Sequence, residues 1–276
     1  MIKKIFMFAA AMIMSLPLLQ AQESEGLKVM SYNIRLGSAQ DGTNSWALRY
    51  TATGKMLEDQ KPDVFGVQEA LEYQVRYIEE MCGYESVGVG RENGKKEGEH
   101  MSIFWNKKTV SMLKWGTFWL SETPQKPSMG WDAACYRTAT WALMKDKKTG
   151  KKFYFVNTHL DHKGKEAQKN GLKLIVDRID AINPQGYPMV LTGDFNMTPD
   201  NTNLAELDSR MQSVRKIAQK TDNHDTFNGW GKGKGVIDYI YVSGFSSYPE
   251  YQTITKKYAD RKFVSDHYPI SATLIF

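Results

Sequence analysis

The sequence predicts a single α/β domain. Short apolar segments typical of β-strands alternate with segments whose apolar residues recur every three or four positions, the spacing of one helical face. No Pro/Ser-rich linker interrupts this series, and no short-period repeat occurs in it. A chain of 276 residues is also long enough to bury one large hydrophobic core. These observations favour one domain of alternating strands and helices.

The first half of the domain predicts two strands and two helices in alternation. Apolar side chains alternate over residues 27–33, which predicts a strand that ends at an asparagine. A helix over residues 45–59 is expected to end before a proline, and a strand follows over residues 64–67. Apolar residues spaced by four, three and four positions over residues 71–82 predict the second helix.

The second half predicts one more helix and several short strands. Apolar residues at helical spacing mark residues 172–182 as an amphipathic helix before a proline. The strands are expected over residues 101–105, 153–158, 189–192, 236–242 and 270–276. The Gly/Lys-rich segment 229–235 lacks the order of a phosphate-binding loop, and we expect it to be a flexible surface turn.

The first residues have the pattern of an export signal. Two lysines precede an apolar run over residues 5–19, and the small Ala21 closes the run before a polar segment. That run is short for a bilayer crossing, and no later apolar stretch reaches membrane-spanning length. We therefore expect a signal peptide over residues 1–21, one domain over residues 22–276, and an exported protein that is periplasmic or secreted. The alternative is a buried N-terminal helix.

Charge and cysteine content are both modest. The net charge of +5 falls to +3 once the two lysines of the expected signal peptide are removed. This balance is not the footprint of a nucleic-acid-binding protein. Cys82 and Cys135 are the two cysteines of a chain expected in an oxidising compartment, so one disulfide and two buried thiols are alternatives.

Four acidic residues lie beside or within short apolar segments that are far apart in sequence: Glu69, Asp194, Asp238 and Asp266. If the strands are neighbours, these carboxylates meet at one sheet edge, where they repel each other unless a cation neutralises them. Oxygen ligands of this kind favour Mg²⁺, Mn²⁺ or Ca²⁺ over zinc. The alternative for any single acid is that it caps a helix or ends a strand.

Polar neighbours strengthen the prediction of a site. They are Gln68 beside Glu69, His267 beside Asp266, and Asn196 two residues after Asp194. The spacing of Asp194 and Asn196 predicts that both side chains lie on one side of an extended strand end. Carboxylates, an amide and an imidazole at strand ends are suited to metal-assisted cleavage of phosphoesters.

The ordered motifs resemble those of the endonuclease/exonuclease/phosphatase superfamily over nearly the whole domain. They are Asn33, Gln-Glu at 68–69, Asn-Thr-His at 157–159, Gly-Asp-Phe-Asn at 193–196, Ile-Asp-Tyr at 237–239 and Ser-Asp-His at 265–267. The resemblance implies a DNase I-like, four-layer α/β/β/α sandwich, with two packed mixed sheets flanked by helices and the site at one edge. The superfamily includes nucleases, sphingomyelinases and inositol polyphosphate 5-phosphatases, so the motifs specify the reaction but not the substrate.

The resemblance also implies a divalent-metal site. Glu69 matches the principal metal ligand of the superfamily, with Asn33 and Asp266 nearby. The expected cofactor is Mg²⁺ or Mn²⁺, with Ca²⁺ as an alternative, and no organic cofactor is expected. Arg35 stands where apurinic-site nucleases have a metal-associated acid, which argues against a close functional match to the DNA-repair branch.

The catalytic roles follow from the same resemblance. Asp194 would orient or deprotonate the attacking water, and Asn196 would donate to phosphoryl oxygens or to the nucleophile. His267 would bind and polarise the scissile phosphate, held in its tautomer by Asp238. His159 would stabilise the charged transition state or protonate the leaving oxygen.

Two further residues have a functional and a structural interpretation. Glu99 stands where pancreatic-type enzymes have an acid paired with the first catalytic histidine, and otherwise it is a solvated charge. Arg137 either clamps a phosphate or belongs to an interior ion pair.

Other aromatic and histidine residues are harder to place. An aromatic wall beside the site and packing in the core are the alternatives for Trp115, Phe118, Trp119 and Trp131. His162 lies three residues after His159, but the cysteines are remote in sequence, so a zinc pair is not expected. We expect the two histidines that belong to no motif, His100 and His224, at the surface.

These observations predict a secreted or periplasmic, divalent-metal-dependent phosphoester hydrolase that acts as a monomer. A phosphodiester is favoured over a monoester, and nucleic acids, phospholipid headgroups and sugar or inositol phosphates remain alternatives as substrates. A non-enzymatic binding module on the same scaffold would lack a catalytic group, whereas every core position is filled here. A serine hydrolase is disfavoured because the chain has no GxSxG motif.

Overall fold

The computed structural model describes residues 26–276. Two six-stranded mixed sheets pack face to face, and helices cover both outer faces, which confirms the predicted α/β/β/α sandwich. The expected signal peptide over residues 1–21 lies outside the described residues.

The described chain contains twelve strands and five α-helices. The strands are β1 (Leu27–Asn33), β2 (Val64–Gln68), β3 (Glu85–Val87), β4 (Ile103–Trp105), β5 (Val110–Trp119), β6 (Thr138–Asp146), β7 (Lys152–His159), β8 (Met189–Asp194), β9 (Gln212–Ser213), β10 (Asp238–Ser243), β11 (Ser247–Thr253) and β12 (Ile270–Ile275). The helices are α1 (Trp46–Gln60), α2 (Glu72–Cys82), α3 (Lys165–Ile182), α4 (Ala205–Asp208) and α5 (Val214–Ile217). Short 3-10 turns lie at Gly42–Asn44, Thr202–Leu204 and Gly229–Gly231.

The sheets have the strand orders β11-β12-β1-β2-β4-β3 and β5-β6-β7-β8-β10-β9. One parallel pair lies at the centre of each sheet, β1 with β2 and β7 with β8, and the other neighbours are antiparallel. The central strands are buried on both faces. In β1, for example, Val29 packs between the sheets and Met30 packs in the layer beneath α1. Successive side chains point to opposite faces of the strand, and both of these faces are apolar.

The predicted helices and strands are all present, most of them with shifted ends. The helix expected from residue 172 begins earlier, at Lys165, because its first turns carry polar residues that hide the apolar spacing. The hairpin of β5 and β6 was not predicted. β5 is an edge strand with an exposed middle and a register shift between Met112 and Lys114, so its sequence lacks a regular alternation of apolar residues.

The structure also tests the predicted state of the cysteines and the expectation that no later segment spans a membrane. Cys82 and Cys135 are both unpaired and partly exposed, so the structure contains neither the disulfide nor a fully buried pair of thiols. Within residues 26–276, none of the helices combines the length and the apolarity that a bilayer crossing needs.

Candidate active site

The site lies where the central strands of both sheets end. Asn33 and Gln68 are paired at the ends of β1 and β2. In the facing sheet, His159 pairs with Asp194 at the ends of β7 and β8, and Asp238 pairs with Asp194 from the start of the antiparallel β10. The amide nitrogen of Asn33 lies 2.9 Å from Oδ2 of Asp194, so the two edges meet directly.

Three residues at this edge have left-handed backbone conformations. They are Arg35, Glu69 and Asn196, with φ angles of 62°, 64° and 51°. Such conformations are unfavourable for residues with a Cβ and recur at functional sites. The expectation that Asn196 continues an extended strand is therefore wrong. The chain turns after Asp194, and the backbone N–H of Asn196 donates to Oδ1 of Asp194 across that turn at 2.9 Å.

Asp194 is the centre of the polar contacts. Its Oδ2 accepts a hydrogen bond from Asn33 and lies 3.4 Å from Nε2 of His159 and 3.7 Å from Nε2 of His267. Burial and the nearby charge of Asp238 raise the pKa of Asp194 above its ordinary value. A carboxylate with a raised pKa is a stronger base, which suits proton abstraction from water.

His267 and Asp238 form a buried pair. Nδ1 of His267 lies 2.9 Å from Oδ2 of Asp238, which assigns the Nδ1 proton to this contact and directs Nε2 toward Asp194. Burial alone would lower the pKa of His267, but the charges of Asp238 and Asp194 raise it above the ordinary value. The imidazole is therefore a cation at neutral pH.

His159 has the opposite electrostatic environment. Burial and the positive charges of Arg137 and Arg91 lower the pKa of His159 well below its ordinary value. The amide nitrogen of Asn196 lies 3.0 Å from Nε2 of His159 and also donates to a backbone carbonyl. Since an amide nitrogen only donates, Nε2 accepts and the proton of the neutral ring lies on Nδ1, 3.9 Å from Glu99.

Glu69 and Asp266 face a shared cation, Arg35. The guanidinium of Arg35 lies 4.0 Å from Oε2 of Glu69 and 3.6 Å from Oδ2 of Asp266. Burial raises the pKa of Asp266. Burial acts on Glu69 in the same direction, but the charge of His267 and hydrogen bonds from Asn33 and the backbone outweigh it, so the pKa of Glu69 is lowered.

The donor set fits a hard divalent cation. Glu69 and Asp266 lie beside the same guanidinium, so two carboxylates supply oxygen ligands and negative charge at one place, and ligand atoms of Glu69, His159 and Asp194 also lie within 4.8 Å of one another. The metal contact predicted for Asn33 stays a prediction. Here its amino group donates to Glu69 and Asp194, and its amide oxygen accepts the backbone N–H of Arg35.

Glu99 and Arg137 lie in ion pairs and also line the cleft. Glu99 is not a solvated charge, because it is largely buried and bound by Arg91 at 2.7 Å. Burial raises the pKa of Glu99. Arg137 is 5% exposed and lies 3.3 Å from Asp161 and 3.0 Å from Nδ1 of His162, so the interior ion pair exists and the phosphate contact stays a prediction.

Cys135, Asp161 and His162 also come within ligand distance of one another, although Cys135 is remote in sequence. Arg137 donates to Asp161 and contacts the available nitrogen of His162, and the same Asp161 oxygen accepts a backbone N–H. The lone pairs that a zinc ion needs are thus engaged.

The cleft has a volume of about 760 Å³ and opens to solvent. Sequence reasoning missed five of its lining residues, because none lies in a recognisable motif: Leu36, Arg91, Ala134, Lys163 and Phe227. None of the four tryptophan and phenylalanine residues proposed for an aromatic wall is among the lining residues, and Phe118 and Trp119 are buried.

The prediction that His100 lies at the surface is wrong. His100 is 3% exposed and lies 3.6 Å from Glu72, in a bridge between the segment before β4 and the end of β2. His224, by contrast, is exposed.

Two motif residues join the sheets instead of lining the cleft. The amide of Gln68 donates to Oδ1 of Asn157 at 2.7 Å, and Asn157 donates to the carbonyls of Val67 and Ser102. The hydroxyl of Thr192 donates a second hydrogen bond to Oδ1 of Asn157, at 3.2 Å. This buried network holds the two catalytic edges in register.

The fold and the site define a phosphoester hydrolase of the two-sheet sandwich class. The chain belongs to the Endonuclease/Exonuclease/phosphatase family, whose profile matches residues 30–267. Members of this family hydrolyse phosphoesters and are generally dependent on a divalent metal.

Solved structures of other proteins agree with this assignment. A mannosyl-6-phosphatase of Bacteroides thetaiotaomicron is 32% identical, with a TM-score of 0.86, over 91% of this chain and 100% of that one. An endonuclease/exonuclease/phosphatase of Bacteroides vulgatus is 34% identical, with a TM-score of 0.85, over 90% and 98% of the two chains. The TDP2 protein of D. rerio, 18% identical over 91% and 100% with a TM-score of 0.72, shares the fold.

Proposed function

We propose that the chain is a divalent-metal-dependent phosphatase that hydrolyses phosphate monoesters of sugars. The observation that carries the catalytic part is the convergence of Asp194, His159, Asn196 and His267 on one cleft with Glu69. The substrate class is supported by the charge of the cleft and by the similarity to a mannosyl-6-phosphatase.

Glu69 and Asp266 would hold Mg²⁺ or Mn²⁺, with Asn33 beside them. A bound divalent cation neutralises charge on the phosphoryl oxygens and favours attack on phosphorus. Arg35 contacts both acids, and we expect it to remain as a further contact for the phosphate.

The chain's own side chains supply the proton transfers. Asp194 takes a proton from the attacking water, a role that its raised pKa favours. The His267 cation, held by Asp238, stabilises charge on a non-bridging oxygen. Asn196 fixes the ring of His159, which would stabilise charge on the leaving oxygen, and that oxygen takes its proton from solvent.

The charge of the cleft favours a monoester over a diester. A terminal phosphate carries two negative charges near neutral pH, whereas a phosphodiester carries one. The cleft is lined by four permanent cations, Arg35, Arg91, Arg137 and Lys163, and by four acids, Glu69, Glu99, Asp194 and Asp266. These charges balance, so protonated His267 and a bound divalent cation would give the cleft its net positive charge. Arg137 is buried and held by Asp161, so its guanidinium is pre-oriented for phosphate oxygens.

A phosphodiesterase is the second candidate, because the cleft is open and its motifs are shared with nucleases. We also propose that residues 1–21 direct export and are removed, which would place the enzyme in the periplasm or outside the cell.

The test is a substrate panel with metal control. Purified protein is assayed for phosphate release from mannose 6-phosphate and inositol phosphates, for phosphocholine release from sphingomyelin, and for cleavage of bis-nitrophenyl phosphate and plasmid DNA. We expect mannose 6-phosphate to be preferred, with activity lost in EDTA and restored by Mg²⁺ or Mn²⁺. A preference for a diester would support the second candidate, and activity that survives EDTA would refute metal dependence.

A further inference from the structure

We infer that the chain has an aromatic subsite beside the catalytic cleft that binds a second sugar ring of a phosphorylated oligosaccharide. This inference deepens the proposed function and rests on it. The aromatic subsite is a pocket of about 400 Å³ whose lining includes Phe227, Phe263, Tyr268, Lys234 and Lys262. A pocket of this volume is within the usual range for small ligands.

The aromatic subsite is continuous with the catalytic cleft. Phe227 lines both, and its ring packs edge-on against the imidazole of His267 with centroids 5.0 Å apart. Phe227 and His267 also form an isolated antiparallel bridge. A ligand whose phosphate lies beside His267 therefore has Phe227 next to it, and the rest of the molecule can extend past that ring.

The Gly/Lys-rich segment 229–235 forms one ordered wall of this subsite. Contrary to the expected flexible turn, it is anchored, because the backbone N–H groups of Asn228 and Gly229 both donate to the carbonyl of Asp266. A Cβ at Gly233 would lie 2.5 Å from the ring of Phe227, so only glycine lets the backbone approach this closely.

The partly exposed aromatic rings and the nearby lysines indicate which ligand chemistry fits the subsite. Phe263 contacts Trp230 and Tyr268, with ring centroids 6.4 Å and 6.0 Å apart, and all three rings are partly exposed. Clustered apolar surface of this kind beside a cleft marks a binding surface. The C–H face of a sugar covers such rings, and the ammonium group of Lys262 donates hydrogen bonds to hydroxyl groups.

The arrangement of the rings disfavours a nucleic acid. The rings of Phe263 and Tyr268, which both line the aromatic subsite, are inclined by 47° to each other. Single-stranded nucleic acids stack successive bases on aromatic faces. Rings inclined to one another form the walls of a pocket for one ring-shaped group, not a platform for a row of bases.

The experiment compares two substrates in the full-length protein. Mannose 6-phosphate occupies the catalytic cleft alone, whereas a mannobiose that carries one 6-phosphate also reaches the aromatic subsite. We expect the wild type to have a higher kcat/KM for the disaccharide. Phe263→Ala should lower that value about tenfold and leave the kcat/KM for mannose 6-phosphate unchanged. Trp115→Ala, which removes an exposed ring outside both pockets, is the matched control.

A second variant tests the aromatic subsite independently in case Phe263→Ala does not fold. Lys262→Ala removes an exposed side chain whose ammonium group lies 4.9 Å from the ring of Phe263, and we expect the same selective loss in smaller measure. Equal activity of the wild type on both sugars, equal losses in both assays, or a selective loss on oligonucleotides would overturn the subsite. Since mannose 6-phosphate alone tests the proposed function, a failure there is distinguishable from a failure of the subsite.

Discussion

Asp194 links the two histidines of the cleft to the first sheet. It accepts hydrogen bonds from Asn33 and from the backbone of Asn196, and it lies within 4 Å of both imidazoles. Its charge is nevertheless costly in a buried place next to Asp238, which is why its pKa is raised. A residue retained at such a cost is a candidate for chemistry instead of stability.

Asp194→Asn should lower kcat on the best substrate about a hundredfold or more, because the amide cannot accept the proton of the attacking water. The fold should persist, since the substitution also removes the repulsion from Asp238. Steady-state kinetics and thermal unfolding measure the two effects. Asp200→Asn, at an exposed acid bonded to a threonine, serves as the control and should be neutral. Near-wild-type turnover in Asp194→Asn would show that Asp194 is not the general base.

Asp238→Asn should shift the pH profile of the reaction. The charge of Asp238 raises the pKa of both His267 and Asp194. Activity needs His267 protonated and Asp194 ionised, so it falls as the pH rises through the pKa of His267 and as the pH falls through that of Asp194. Loss of the Asp238 charge lowers both pKa values, and both limbs should move to lower pH. A kcat/KM profile with unmoved limbs would contradict this coupling.

At the scale of elements, the turn between β7 and α3 prepares one wall of the cleft. Asp161 lies in this turn and accepts backbone N–H groups from Lys163, Gly164 and Ala134. Although burial opposes it, these hydrogen bonds and the charge of Arg137 hold the pKa of Asp161 at about 2. The same carboxylate therefore orders the chain before α3 and positions the guanidinium.

Asp161→Asn should lower the free energy of unfolding by about 2 kcal/mol at pH 7, because charge-assisted hydrogen bonds are lost. A carboxyl group with a lowered pKa stabilises the fold above the pKa of the unfolded chain and loses this effect as the pH falls toward about 2. The difference from wild type should thus shrink in acid. Urea unfolding at several pH values measures it.

Asp177→Asn is the control for that experiment. Asp177 pairs with Lys173 on the exposed face of α3, and solvent screening leaves such pairs with little effect on stability. A pH-independent difference in Asp161→Asn would show that its effect comes from packing and not from the charge.

The elements also show which patterns a sequence reveals. β1, β2, β8 and α2 have regular apolar spacing because one or both faces are buried, and they were predicted close to their observed bounds. The long strand β5 was not predicted, because its middle faces solvent and its hydrogen-bond partner is β6. Edge strands depend on a partner for their hydrogen bonds, so their own sequence need not show the pattern.

At the scale of the whole molecule, the sandwich depends on a polar contact within an apolar interface. Asn157 joins the sheets by hydrogen bonds to Gln68 and to two carbonyls, and the absence of a side chain at Gly66 leaves room for it. A Cβ at Gly66 would lie 2.4 Å from the Asn157 amide. The network therefore specifies how the two sheets align, and with them the two halves of the cleft.

Asn157→Ala should lower the free energy of unfolding by about 2–3 kcal/mol, because it leaves buried polar groups without partners. Activity should fall as well, since Glu69 and Asp194 lie on different sheets whose relative position the network maintains. Denaturant unfolding and kinetics on the folded variant test this. Thr117→Ala, at a partly buried hydroxyl of the outer hairpin, is the control and should cost less.

The sequence by itself determined the main helices, the central strands, the reaction class and most of the polar residues of the cleft. These features follow from local apolar spacing and from motifs a few residues long. Tertiary structure decided which residues meet: that Arg35 lies between Glu69 and Asp266, that Arg91 binds Glu99, and that Phe227 joins the cleft to a second pocket. Contacts between residues this far apart along the chain depend on how two sheets pack, and no local pattern records that.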